Sequence, residues 1–246
     1  MKILCISDHK DPLVYSSNIK TRFSDIDIIL SAGDLPLDFY GFIASMLNKP
    51  FFFIFGNHHL SRIGEYKQRY QNLSGRNPCG EYECKSCGAV YIGGRIIRKK
   101  GLLIAGLGGT KRYNDGLNQY TETEMFFHIL GLIPRLLWNR LWHKRYLDIL
   151  LTHAPPHGSG DAIDPCHQGF KIFLWFIRMF RPQYLIHGHI HLYDMNAPRE
   201  TKYYGTKIIN AYDHTVVEVT PQQKKDLKSA RKHIHLNKHK HNMRHP

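Results

Sequence analysis

The chain has 246 residues, 42% hydrophobic and 22% charged, a composition with enough apolar material for a real core and unlike that of a disordered or fibrous chain. Its formal charge of +14 invites a nucleic-acid reading, but residues 221–246 hold eight Lys or Arg and one Asp, so +7 of the excess sits in a tail with few apolar residues. No apolar run reaches the ~20 residues needed to cross a bilayer, no secretory leader is read at the N-terminus, and five cysteines without a framework spacing suggest a reducing, cytoplasmic compartment.

In chain order, continuous apolar runs at 2–7 (KILCIS), 26–31 (IDIILS), 50–55 (PFFFIF), 102–107 (LLIAGL), 147–152 (LDILLT) and 183–187 (QYLIH) predict strands buried on both faces. Helices are predicted between them, at about 17–23, 38–48, 61–71, 121–145 and 168–180. The fourth opens with a capping box, Thr121 and Glu124, and Pro134 is expected to break or kink it. Further strands are expected at 89–98, 203–210 and 215–219. Alternating β and α elements followed by late strands indicate a layered α/β sandwich, with one domain over 1–220 and a basic, His-rich tail over 221–246 that is expected to be disordered.

The residues that follow the strands carry the functional signal. Asp8 follows the first run, Gly33 and Asp34 the second, Gly56, Asn57 and His58 the third, His153 the fifth, and Gly188, His189 and His191 the sixth. One aspartate after a strand is an ordinary turn former or cap. Five runs ending in Asp, Asn or His have no common structural need, and the carboxyl edge of an α/β sheet is where ligands bind. Carboxylate, amide and imidazole donors without thiolates suit Mn²⁺, Fe or Zn²⁺ far better than Ca²⁺. The donors are too numerous for one tetrahedral ion, so a pair of ions sharing a carboxylate is the economical arrangement for clamping a phosphoryl group.

The ordered set Asp8, Gly33-Asp34, Gly56-Asn57-His58, Thr152-His153 and Gly188-His189-Ile190-His191 resembles the calcineurin-like metallophosphoesterases. The resemblance implies a four-layer αββα sandwich of two mixed β-sheets flanked by helices, with a dinuclear metal site at the sheets' edge. It implies that Asp34 bridges two divalent ions, that Asp8 and His191 serve one, and that Asn57, His153 and His189 serve the other. It further implies hydrolysis of a phosphomonoester or phosphodiester by a metal-bridging hydroxide, with His58 as general acid.

Two positions depart from the family pattern. Lys10 stands where a histidine ligand is usual, and an ammonium cannot ligate. His9 could replace it if the loop turns, Asp11 could supply an oxygen one residue later, or nothing replaces it and Lys10 faces the substrate; each leaves an altered first site. His59 stands where the family often has an acid. The alternative function is therefore a non-catalytic member that binds a phosphorylated ligand or acts as a scaffold.

Cys79, Cys84 and Cys87 invite a zinc or redox reading but offer three thiols where a structural site needs four ligands, so incidental loop thiols are the plainer reading; Cys166 or a histidine could complete a site only through the fold. Cys5 is expected in the core. GLGGTKRYNDG at 106–116 lacks the phosphate-loop pattern and reads as a turn, followed at the active edge by Arg112, a candidate substrate-phosphate contact. The expected partner is a phosphorylated small molecule or nucleotide, and the tail's charge suits RNA or an anionic surface.

Overall fold

The computed structural model describes residues 1–67, 87–194 and 198–220. The chain forms β1 (Lys2–Ser7), α1 (Ile19–Arg22), β2 (Ile28–Ser31), α2 (Leu37–Leu47), β3 (Phe51–Phe53), α3 (Ile63–Tyr66), β4 (Val90–Tyr91), β5 (Ile96–Lys99), β6 (Leu102–Leu107), β7 (Thr110–Lys111) and β8 (Gln119–Tyr120). There follow α4 (Glu122–His143), β9 (Ile149–Thr152), α5 (Lys171–Phe180), β10 (Tyr184–His187), β11 (Glu200–Tyr203), β12 (Thr206–Asn210) and β13 (Asp213–Glu218).

One sheet runs β13-β1-β2-β3-β4 and a second β11-β12-β10-β9-β6-β5, with β7 and β8 as a small pair. In the first, β1 to β4 are parallel and β13 is antiparallel. In the second, β6, β9, β10 and β12 are parallel, with antiparallel β5 and β11 at the edges. The twofold period of a strand sends alternate apolar residues to opposite faces. Ile3 and Cys5 of β1, Ile104 of β6 and Ile149 and Leu151 of β9 enter the core between the sheets. Leu4 and Ile6 instead pack under α1 and α2 with Ile19, Phe39 and Ile43. Leu103, Ala105 and Leu150 pack under α4 and α5 with Ile129, Leu136, Phe173 and Ile177. The expected four layers, helix, sheet, sheet, helix, are thus present.

Several boundaries differ from expectation. The predicted strand at 89–98 is two strands, β4 in the first sheet and β5 in the second, because a turn at Gly94 (φ 72°) carries the chain across the sandwich. The predicted strand at 203–210 covers parts of β11 and β12. A two-residue turn divides them, with Tyr204 and Gly205 both at positive φ (47° and 84°), a backbone matched to the twist of a tight hairpin. Pro134 does not divide α4, a single 22-residue helix. Proline leaves a carbonyl one turn earlier without its amide, but Pro134 and Leu130 lie on the exposed side, where water takes that role. The helix predicted at 61–71 is a short turn, Ile63–Tyr66, within the described residues. Cys5 is in the core. Cys79, Cys84 and the 221–246 tail lie outside the described residues, and Cys87 is buried with Sγ 3.7 Å from the Ala89 carbonyl oxygen.

Candidate metal centre

Because β1, β2 and β3 run parallel in one sheet and β9 and β10 in the other, their carboxyl ends deliver Asp8, Asp34, Asn57, His153 and His189 to one edge of the sandwich. Ligand atoms of Asp34, His153 and His189 lie within 4.8 Å of one another, and all three residues are buried. His153 Nε2 is 3.2 Å from Asp34 Oδ2 and 3.2 Å from Asn57 Oδ1. Its Nδ1 donates to the Ala32 carbonyl at 2.7 Å, which leaves Nε2 turned to two oxygens. Asn57 Nδ2 donates to the Tyr113 hydroxyl at 3.0 Å, so its carbonyl end faces His153. A buried nitrogen lone pair aimed at two acceptor oxygens is repulsive unless a positive charge, a proton or a cation, lies between them. The arrangement therefore fits a proton on His153 or, in its place, a divalent cation held by these nitrogen and oxygen donors.

Asp8 lies beside this group. The His189 backbone N–H donates to both Asp8 oxygens, at 3.1 and 2.9 Å. The His58 backbone N–H donates to Asp34 Oδ1 at 2.8 Å. Three residues here hold left-handed backbone, Asp8 (φ 66°), Asp34 (φ 56°) and His189 (φ 69°). Such conformations cost non-glycine residues about 1–3 kcal/mol each and persist only where surrounding contacts enforce them. The two glycines are required by crowding. A Cβ on Gly56 would lie 2.1 Å from Asp34 Oδ1, and one on Gly188 would lie 1.9 Å from Ser7 Oγ.

Burial by itself would raise the Asp34 carboxyl and lower the His153 imidazole. Their mutual attraction prevails, holding Asp34 at about 2 and His153 at about 9. Burial pushes Asp8 up, and burial together with the charge of His153 pushes His189 down to about 3. A neutral His189 whose Nε2 donates to the Cys166 carbonyl at 2.7 Å has its lone pair on Nδ1. A divalent cation bound to this group would accordingly displace the His153 proton, while Asp34 and His189 present none to displace at neutral pH. Apparent cation affinity is expected to rise about tenfold per pH unit between pH 6 and 8 and to level off near pH 9. Calorimetric Mn²⁺ titrations in buffers of different ionisation enthalpy would read both the slope and the release of one proton.

The remaining candidates take various positions. His58 presents an exposed side chain at this edge. His191 is exposed at the rim, its Nδ1 paired with the Tyr193 hydroxyl at 2.8 Å and its ring 4.9 Å from Tyr212. Around the anomalous lysine, Asp11 is taken by His214 and by the Leu13 N–H at 2.7 Å, and His9 Nδ1 by Asp213 at 2.7 Å. Lys10 Nζ turns to Asp38 at 3.4 Å. His9, Lys10 and Asp11 are thus each engaged with other side chains. Arg112 is held by both oxygens of Glu124, at 3.2 and 2.9 Å, and that carboxylate also caps α4. Its neighbour Tyr113, one residue along, reaches Asn57.

Asn118 and His167 were not singled out by sequence reasoning. Asn118 Nδ2 donates to the carbonyls of Phe55 and Gly56, at 3.1 Å for Phe55, and so anchors the loop before Asn57. The His167 ring is 5.2 Å from that of His189, and Asp164, Cys166 and His167 form a second, more exposed donor group. Asn118 follows the glycine-rich loop and His167 lies in the segment DPCHQG, and neither carries a motif of its own.

A sequence profile of the calcineurin-like phosphoesterases matches residues 1–193. A UPF0046 protein of Caenorhabditis elegans is 25% identical over 242 aligned positions, covering 89% of this chain and 81% of that protein. One solved structure superposes with a TM-score of 0.61 at 14% identity, covering 90% of this chain and 96% of its own. The crystal structure of TT1561 of Thermus thermophilus gives 0.53 at 15% identity, over 86% of this chain and 89% of that one. At these identities the two structures speak for the fold alone.

Proposed function

The chain belongs to the calcineurin-like phosphoesterase family, and from that premise we propose that it is a metal-dependent hydrolase of phosphomonoesters or phosphodiesters with a dinuclear centre. The observation that carries the reading is the buried convergence of Asp34, His153 and His189 on one point, with Asn57 and Asp8 beside it. In this reading Asp34, Asn57, His153 and His189 would hold one ion, and Asp34, Asp8 and His191 would hold the other. Two divalent ions would supply the charge that fixes phosphoryl oxygens and the acidity that prepares a water nucleophile.

The protein's own groups have distinct tasks. The His153–Ala32 bond fixes the imidazole tautomer and ring plane, and the Asn57–Tyr113 bond fixes the amide, so the donors are oriented before a cation arrives. His58, whose backbone N–H is anchored on Asp34 and whose ring is exposed, would in this reading give a proton to the leaving oxygen. Loss of His58 is expected to lower turnover about 10²-fold on p-nitrophenyl esters, whose leaving group needs little protonation, and more on a poorer leaving group such as phenyl phosphate.

The test is to strip the protein with chelator, restore Mn²⁺, and assay p-nitrophenyl phosphate and its bis-ester beside His58→Ala. Metal-restored turnover that falls in the variant supports the proposal; equal turnover in both proteins overturns the role of His58. Elemental analysis separates the rival reading. Two metals per chain accord with the enzyme. One or none, without turnover, accords with a phosphate-binding protein, which the lack of a donor in place of Lys10 would explain.

A further inference from the structure

A helix at the surface of a folded domain ordinarily turns polar side chains outward, and α4 does not. Its inner face, Met125, Ile129, Leu132 and Leu136, fills the core beneath it. Its outer face carries Phe127, Leu130, Leu137, Trp138, Leu141 and Trp142, each between 37% and 63% exposed. Steps of three and four residues place these side chains in one stripe along a 22-residue helix, about 33 Å by the standard rise, with exposed Gly131 and Pro134 also on it. Trp138 and Trp142 stack at 4.6 Å with 29° between their planes. No Asp, Glu, Lys or Arg occurs from 125 to 134, and cations gather at the carboxyl end of the helix.

That end opens into a cavity of about 240 Å³ lined by Arg140, Lys144, Arg145 and Arg181 together with Met179 and Phe180. Arg145 is neutralised by Asp148 at 2.7 Å. Lys144 and Arg181 are the left-handed caps that end α4 and α5, so two helix ends bring cations to one mouth.

From this juxtaposition of an apolar, tryptophan-bearing stripe with a cationic cavity at its end, we infer that α4 is a peripheral docking surface for an anionic phospholipid bilayer. Nucleic acid would satisfy the cations but leave the stripe in water, whereas a bilayer offers hydrocarbon to one and headgroup phosphates to the other. Indole rings favour the headgroup boundary, where one side is apolar and the other wet. No described helix is long and apolar enough to cross a membrane, so α4 would lie in the interface plane.

The full-length chain should be tested by co-sedimentation with phosphatidylcholine vesicles with and without phosphatidylglycerol. The expected result is preferential binding to anionic vesicles, weakened at least about tenfold by Trp138→Ala/Trp142→Ala and also reduced by Lys144→Glu/Arg181→Glu, with circular dichroism unchanged. Brominated lipids should quench the tryptophan emission of the parent protein, a readout independent of how any variant folds. Absence of vesicle binding overturns the inference, as does binding that is undiminished in the tryptophan variant and unquenched, which would assign it to charge elsewhere such as the basic tail. A concentration-dependent dimer lost in that variant, without vesicle binding, overturns it in favour of a second copy of this chain.

Discussion

Asp34→Ala is expected to lower metal-dependent turnover by about 10³-fold and to leave the purified protein depleted of metal. Asp34 gives one oxygen to the His58 N–H at 2.8 Å and turns the other to His153 Nε2 at 3.2 Å, so one carboxylate organises both the cation pocket and the adjacent loop. In the proposed centre the cations that Asp34 would hold would contribute several kcal/mol of charge stabilisation, and each ~1.4 kcal/mol is a factor of ten in rate. Asp34→Asn separates charge from shape, because an amide oxygen can still accept from His58 while the charge is gone. Metal content by elemental analysis, kcat/KM on the bis-ester and the unfolding midpoint should be read together. Asn, which keeps the acceptor for the His58 N–H but removes the charge facing His153, should lower the midpoint less than Ala and still lose metal and turnover; undiminished metal and turnover in both variants would remove the site from consideration.

The largest stability effect is expected at the opposite end of a site strand. Asp148, fully buried just before β9, accepts from Arg145 at 2.7 and 3.0 Å, from the Leu103 N–H at 2.8 Å and from Gln183 Nε2 at 3.1 Å. Asp148→Ala would strand a largely buried guanidinium and a buried amide at once, and breaking such an arrangement costs about 3–5 kcal/mol. Denaturant unfolding should show the midpoint falling with little change in slope. Metal content in the folded fraction should be retained, since the site lies at the other end of the strand; its loss would mean that the two ends are coupled.

β9 shows why part of the protein was legible and part was not. His153, after an apolar run, could be read as a ligand because a histidine at a strand's carboxyl end has few structural reasons to be there. Asp148, second residue of the same run, shows no local sign of its partners, and its four donors come from positions 103, 145 and 183 that no local pattern links. Arg112 and Tyr113 make the same point at one-residue resolution. Both lie in a glycine-rich loop, yet it is the tyrosine that reaches Asn57 while the arginine is held by the cap of α4. The Lys10 question was also beyond the sequence, since His9 and Asp11 are occupied by Asp213 and His214, some two hundred residues away.

The amino-acid sequence by itself determined where the buried strands run, which donor types follow them, and hence the layered class and the candidate ligand types, because strand burial and ligand hardness are properties of residue type. The tertiary structure alone decided which donors meet. Asp8, Asp34 and His189 turn into the centre only through left-handed backbones that local preference opposes, and those backbones are held by bonds such as His189 to Asp8, spanning 181 residues. A conformation disfavoured locally and imposed from a distance leaves no trace in neighbouring residues.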